Sequence, residues 1–174
     1  MRRIMQLGFV STAMVFAAAL GGCTSVPVAI KTPYNIEEHE PYRLEGKNSV
    51  TGQAFMRQAG GGTVSCAGTP ATLFPDTAFF REAIDIASRG LKPDASGQAR
   101  PNRDGSSFRR AVCDAQGNFA FERVPSGRWI LVAEVRWWAG PYSPQGGMLR
   151  QEVEVKEGST NRFLLTDADL YRAR

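Results

Sequence analysis

The sequence predicts a mainly β chain, an antiparallel sandwich of about seven strands with one short helix. Three observations carry this. Between residues 127 and 137, Trp129, Leu131, Ala133, Val135 and Trp137 alternate with Arg128, Glu134 and Arg136, the period of a strand with one apolar face. Two turn signals precede that run, Asp114-Ala115-Gln116-Gly117-Asn118 and Pro125-Ser126-Gly127, and they bracket a short strand carrying Phe119, Phe121 and Val124. The same alternation returns at residues 49–57, where Val50, Gly52, Ala54 and Met56 share a face, and at 148–156, where Leu149, Val153 and Val155 oppose Arg150, Glu152, Glu154 and Lys156.

The other elements follow in order. After the first strand, Gly60-Gly61-Gly62 breaks the chain. Residues 63–74 resume as strand with a bend at Gly68, because Pro70 cannot donate to a central ladder. Residues 76–89 change period. Phe79, Ala83, Ile86 and Ala87 form a helical stripe, Asp76 or Thr77 is available as N-cap, and Gly90 and Pro93 follow the end. Residues 91–107 are rich in Gly, Pro, Asp, Asn and Arg and are expected as an exposed loop. Residues 108–113 lead as strand into the hairpin, Glu157-Gly158-Ser159 turns the chain into a last strand at 162–166, and 167–174 is expected as a charged tail.

The motif Asp114, Gly117, Phe119, Phe121, Val124, Pro125, Gly127, Trp129 and Leu131 resembles the signature of carboxypeptidase regulatory-like domains. Over residues 49–166 the likeness is looser, and Cys66-Ala67-Gly68 and Leu73-Phe74-Pro75 resemble a bacterial branch of that family. The resemblance implies a Greek-key sandwich of the transthyretin (prealbumin-like) type across residues 48–166, without zinc or catalytic residues of its own.

The N-terminus reads as a targeting segment. Arg2 and Arg3 form a charged start, residues 7–20 an apolar run too short to span a bilayer, and Leu20-Gly21-Gly22-Cys23 resembles the bacterial lipobox. The resemblance implies cleavage after residue 22 and a diacylglyceryl thioether on Cys23, joined by an N-acyl chain such as palmitate. One acyl chain binds membranes reversibly, at about 10⁴ M⁻¹, whereas several anchor firmly. Thr24 in place of Asp resembles the outer-membrane-sorted enterobacterial lipoproteins and implies an anchor in the outer membrane facing the periplasm. Residues 23–47 contain Pro27, Pro33, Pro41 and the run Glu37-Glu38-His39-Glu40 without a sustained period. They are expected as a flexible tether spanning roughly 25 to 30 Å, with His39 solvated.

Removing residues 1–22 takes Arg2 and Arg3 from 21 basic side chains and leaves 19 against 17 acidic ones, a balance that does not suit nucleic acid. With Cys23 lipidated, Cys66 and Cys113 remain in an oxidising compartment, and a disulfide is the simplest account beside two buried thiols.

No cofactor or metal set is evident, since His39 is the sole histidine and no Ser or Cys triad can be built around it. The transthyretin-like fold includes 5-hydroxyisourate hydrolase, which uses more than one histidine, an arginine and a C-terminal Tyr-Arg-Gly-Ser. This chain departs from that pattern, ending Tyr171-Arg172-Ala173-Arg174. Two functions stay open. One is an anchored, non-catalytic module holding an envelope protein or a polysaccharide through Arg136, Trp137, Trp138 and Tyr142, aided by the Arg-rich loop at 91–110, since successive tryptophans cannot both face a core. The alternative is a minimal hydrolase using carboxylates such as Asp85, Asp94 and Asp104.

Overall fold

The computed structural model describes residues 27–98, 107–158 and 161–172. The leader expected at 1–22, the lipid acceptor expected at Cys23 and the candidate carboxylate Asp104 lie outside the described residues. The elements are β1 (Pro27–Ala29), α1 (Ile36–Arg43), β2 (Asn48–Arg57), β3 (Thr63–Ser65), β4 (Pro70–Pro75), α2 (Ala78–Ser88), β5 (Lys92–Asp94), β6 (Arg109–Val112), β7 (Asn118–Val124), β8 (Gly127–Trp138), β9 (Pro144–Val155), β10 (Asn161–Leu165) and a 3-10 turn (Asp167–Asp169). The chain is mainly β, as its alternation predicts.

Two four-stranded sheets face each other. In the first, β2 is flanked by β10 on one side, while β7 and β3 pair in turn with the other. The second runs β6-β4-β8-β9, all antiparallel. One core fills the space between them, with Val50, Ala54, Phe119, Phe121 and Leu165 from the first sheet meeting Leu73, Trp129, Leu131, Val135, Leu149 and Val155 from the second. Gly52 faces this core as expected, and its lack of a side chain matters, because a Cβ there would lie 2.4 Å from the Phe119 ring. Cys66, just beyond β3, forms a disulfide with Cys113, just beyond β6, so the bond ties one sheet to the other.

Several expectations need correction. The sheets are not wholly antiparallel, since β10 runs parallel to β2 and β1 parallel to β5. A strand that arrives from the facing sheet, as β10 does from β9, is free of the hairpin geometry that enforces antiparallel order. Strand β8 is not half-buried along its length. Ile130 and Val132 on its outer face are covered, because α2 lies there and brings Ile84 against them.

The tether expected before residue 48 is, from residue 27 onward, folded onto the domain. Strand β1 pairs with β5, in the stretch expected as loop, and the backbone N–H groups of Lys31 and Thr32 donate to the Glu82 carboxylate on α2 at 2.8 and 2.7 Å. Helix α1 starts at Asn35, whose side chain accepts from Glu37 N and Glu38 N. Its acidic residues face solvent, while His39 is fully buried. The His39 ring stacks on Tyr34 at 4.1 Å and packs edge-on against Phe79 and Phe80. Its Nδ1 lies 2.6 Å from the Asn35 carbonyl oxygen and so carries the proton there. Nε2 lies 3.0 Å from Thr77 Oγ1, the N-cap of α2. A helix of eight residues, about two turns, gave too little pattern to reveal this inward face.

The tail is likewise anchored. Thr166 and Asp169 form a capping box, Asp167 accepts from Arg57, Leu170 bridges to Leu149 on the outer edge of β9, and Tyr171 N donates to Met148 O at 2.8 Å. No helix among the described residues is long and apolar enough to cross a membrane.

Candidate functional site

Alternation along β8 sends Arg136 and Trp138 to the outer face of the second sheet and Trp137 to the inner face. Trp137 packs half-buried against the main core, whereas Trp138 is 70% exposed. Tyr142 sits at the tip of the five-residue turn at 139–143, 95% exposed, where Ala139 N donates to Ser143 O. Residues 144–147, ahead of the strand expected at 148–156, already belong to β9, with Gln145 paired to Trp137 and Gly146 to Arg136. The structure therefore brings Arg136 and Trp138 together on one face, turns Trp137 to the other and leaves Tyr142 exposed in the turn.

Beside these residues lies a cleft of about 290 Å³. Its floor is the start of β9, its walls are Ala87 and Ser88 at the end of α2 and the segment Leu170, Tyr171 and Arg172, and Arg136 and Gln145 close it toward the hairpin end. The floor has to be bare backbone. Gly146 adopts φ +90°, and a Cβ there would stand 2.1 Å from the Val135 carbonyl oxygen. Trp138 stands one same-face step beyond Arg136, on a strand that advances about 7 Å every two residues, and opposite Pro144, which also lines the cleft.

The wall formed by Tyr171 is held firmly. Its hydroxyl donates to Asp85 on α2, and the Arg150 guanidinium lies 4.5 Å over its ring. Burial, followed by the hydrogen bond to Asp85, pushes the Tyr171 phenol above its ordinary value, with the nearby Arg150 charge opposing. The phenol thus stays protonated as a donor. Arg136, which lines the cleft, offers its Nε to Glu134, so the two terminal amino groups of the guanidinium are not used by that pair. Ser88 Oγ donates to the Asp85 carbonyl at 2.8 Å, and Gln145 Nε2 donates to Ser143 Oγ at 3.1 Å. Both side chains retain an acceptor oxygen.

Of the carboxylates expected for hydrolysis, the two among the described residues are separately engaged. Asp85 accepts from Tyr171, and Asp94 accepts from Ser96 N and Oγ at 2.8 and 3.0 Å. Among the described residues, no cluster of three His, Cys, Asp or Glu side chains is placed to hold a metal ion. A larger hollow of about 540 Å³ borders Thr51, Ala120 and Arg162 on the other sheet, but the Asp114 carboxylate at its rim is consumed by its own turn, accepting from Gln116 N and Asn118 N.

Sequence reasoning missed Tyr171, Arg172 and Ser88. Only the Tyr-Arg pair in the tail could have signalled them, and there it stood next to no recognisable element.

No protein family matches the chain, and no curated protein matches it. Similar solved structures include a candidate carbohydrate binding protein from Pseudomonas aeruginosa, 22% identical, with a TM-score of 0.59, covering 76% of this chain and 97% of its own. That likeness establishes a shared fold.

Proposed function

We propose that this chain is a non-catalytic binding module of the bacterial envelope, held at a membrane through Cys23 and presenting the Arg136–Trp138 face to a polysaccharide. The single observation that carries the reading is the exposed indole of Trp138 beside a polar cleft with a fixed backbone floor. Flat aromatic surface next to hydrogen-bonding groups suits a sugar ring, whose C–H face stacks and whose hydroxyls need both donors and acceptors. The carbohydrate-binding description of the similar Pseudomonas aeruginosa protein supports the same choice over an envelope protein. The turn and strand motif at 114–131 supports a place among prealbumin-like, Greek-key domains of the carboxypeptidase regulatory-like type.

The lipobox at 20–23 supports the anchor, and Thr24 an outer-membrane destination facing the periplasm. Residues 27–47 are folded onto the domain, so they do not serve as a flexible tether. Labelling cells with palmitate tests the anchor: the wild-type chain carries label, and a Cys23→Ser chain does not. For the binding face, Trp138→Ala lowers the affinity for envelope polysaccharide by about tenfold or more while leaving the melting temperature within a degree or two, because the side chain is exposed. Undiminished binding by that variant would refute the assignment of this face.

A further inference from the structure

The charge of the cleft is one-sided. Among the described residues its lining includes Arg136 and Arg172 and no aspartate or glutamate. Two carboxylates stand nearby, and each is taken. Glu134 holds Arg136 through Nε, and Asp85 receives the Tyr171 hydroxyl. The Nε contact leaves the end of the Arg136 guanidinium as a planar pair of donors, the arrangement that meets a carboxylate with two parallel hydrogen bonds. Behind the wall, Arg150 adds a third positive charge, 89% buried, stacked on Tyr171 and paired to Glu152 at 3.3 Å.

The cleft is nonetheless not built for a bare anion. Ser88 Oγ and Gln145 Oε1 bring acceptor oxygens into the same space, where they repel phosphate or sulfate and receive hydroxyl groups. A volume of about 290 Å³ lies at the lower edge of small-ligand sites, enough for one ring and its substituents. Resting on the polysaccharide reading above, we infer that the cleft takes a carboxylated sugar unit: the carboxylate pairs with Arg136 and Arg172, ring hydroxyls are bound by Ser88 and Gln145, and the adjoining unit lies on Trp138. The module then recognises acidic, uronic-acid-type polysaccharide rather than neutral glycan.

The test uses the full chain in detergent and three probes: a uronic-acid hexasaccharide, the same hexasaccharide with its carboxyls reduced to alcohols, and single-stranded DNA of equal charge. Titration calorimetry is expected to show the uronate bound at least tenfold more tightly than either of the others. Arg136→Gln is expected to remove that preference by lowering uronate affinity tenfold or more and leaving the reduced sugar unchanged. Trp138→Ala weakens both sugars alike. Equal binding of uronate and reduced sugar overturns the inference while the glycan-binding reading stands. Binding of neither sugar overturns both. DNA bound as tightly as the uronate overturns the inference in favour of unspecific charge attraction.

Discussion

His39→Ala tests whether the segment before β2 is part of the fold. The imidazole is fully buried, makes one hydrogen bond with the Asn35 carbonyl and one with the Thr77 hydroxyl, and touches three aromatic rings. Truncation removes both hydrogen bonds, each worth about 1 kcal/mol net, and opens a cavity beneath Tyr34 that costs about 1 kcal/mol more. The expected loss is about 3 kcal/mol, roughly a hundredfold in the folding constant. At a urea dependence of about 2 kcal/mol per molar, the unfolding midpoint falls by about 1.5 M with an unchanged slope. Because Thr77 also caps α2 by accepting from Phe80 N, the variant should also expose residues 27–47 to limited proteolysis before the sandwich opens. A midpoint shift under about 0.5 M, with the segment as protected as in the wild type, would refute the argument that His39 fastens α1 to α2.

Three further outcomes follow from named contacts. Replacing Cys66 and Cys113 together by Ala releases a loop of 47 residues and is expected to lower stability by about 4 kcal/mol in the chain-entropy account, read by urea unfolding with and without reductant. Glu82 is subject to burial, which raises its pKa, but hydrogen bonds from Thr32 and Lys31 outweigh it and hold the carboxyl below its ordinary value. A depressed folded-state pKa adds stability above the ordinary value near 4.5 and loses it as pH falls through the folded value, so Glu82→Gln should flatten the stability profile on that acid side. Gly146→Ala puts a methyl group against the Val135 carbonyl at positive φ and is expected to cost about 1–3 kcal/mol while weakening sugar binding, measured by thermal melting and calorimetry.

Where the apolar pattern had period two over six residues or more, it placed the strand and its inward face, as with Val50 to Met56 and Trp129 to Val135. The same rule failed for Ile130 and Val132. Their burial depends on α2, some fifty residues earlier in the chain, covering the outer face of the sheet. For residues 27–47 the proline and acid content is that of a linker, and the contacts that override it are all remote: Glu82, Asp94, Thr77 and Gln98. Composition reports what a segment can do alone, and here tertiary hydrogen bonds decide.

The candidate site was half legible for a related reason. Alternation alone required Trp137 and Trp138 to face opposite ways and set Arg136 with Trp138. It could not say that the remaining walls come from Ser88 and Tyr171, since nothing local links the end of a helix to a tail more than eighty residues away. What joins them is the hydrogen bond from Tyr171 to Asp85, one turn before Ser88, and the bridge from Leu170 to Leu149. A cleft assembled in this way has a rigid sheet as floor and a short, doubly pinned segment as one wall. Affinity should therefore depend on Tyr171 even where the ligand never touches its hydroxyl, because that bond is what ties the wall carrying Arg172 to α2.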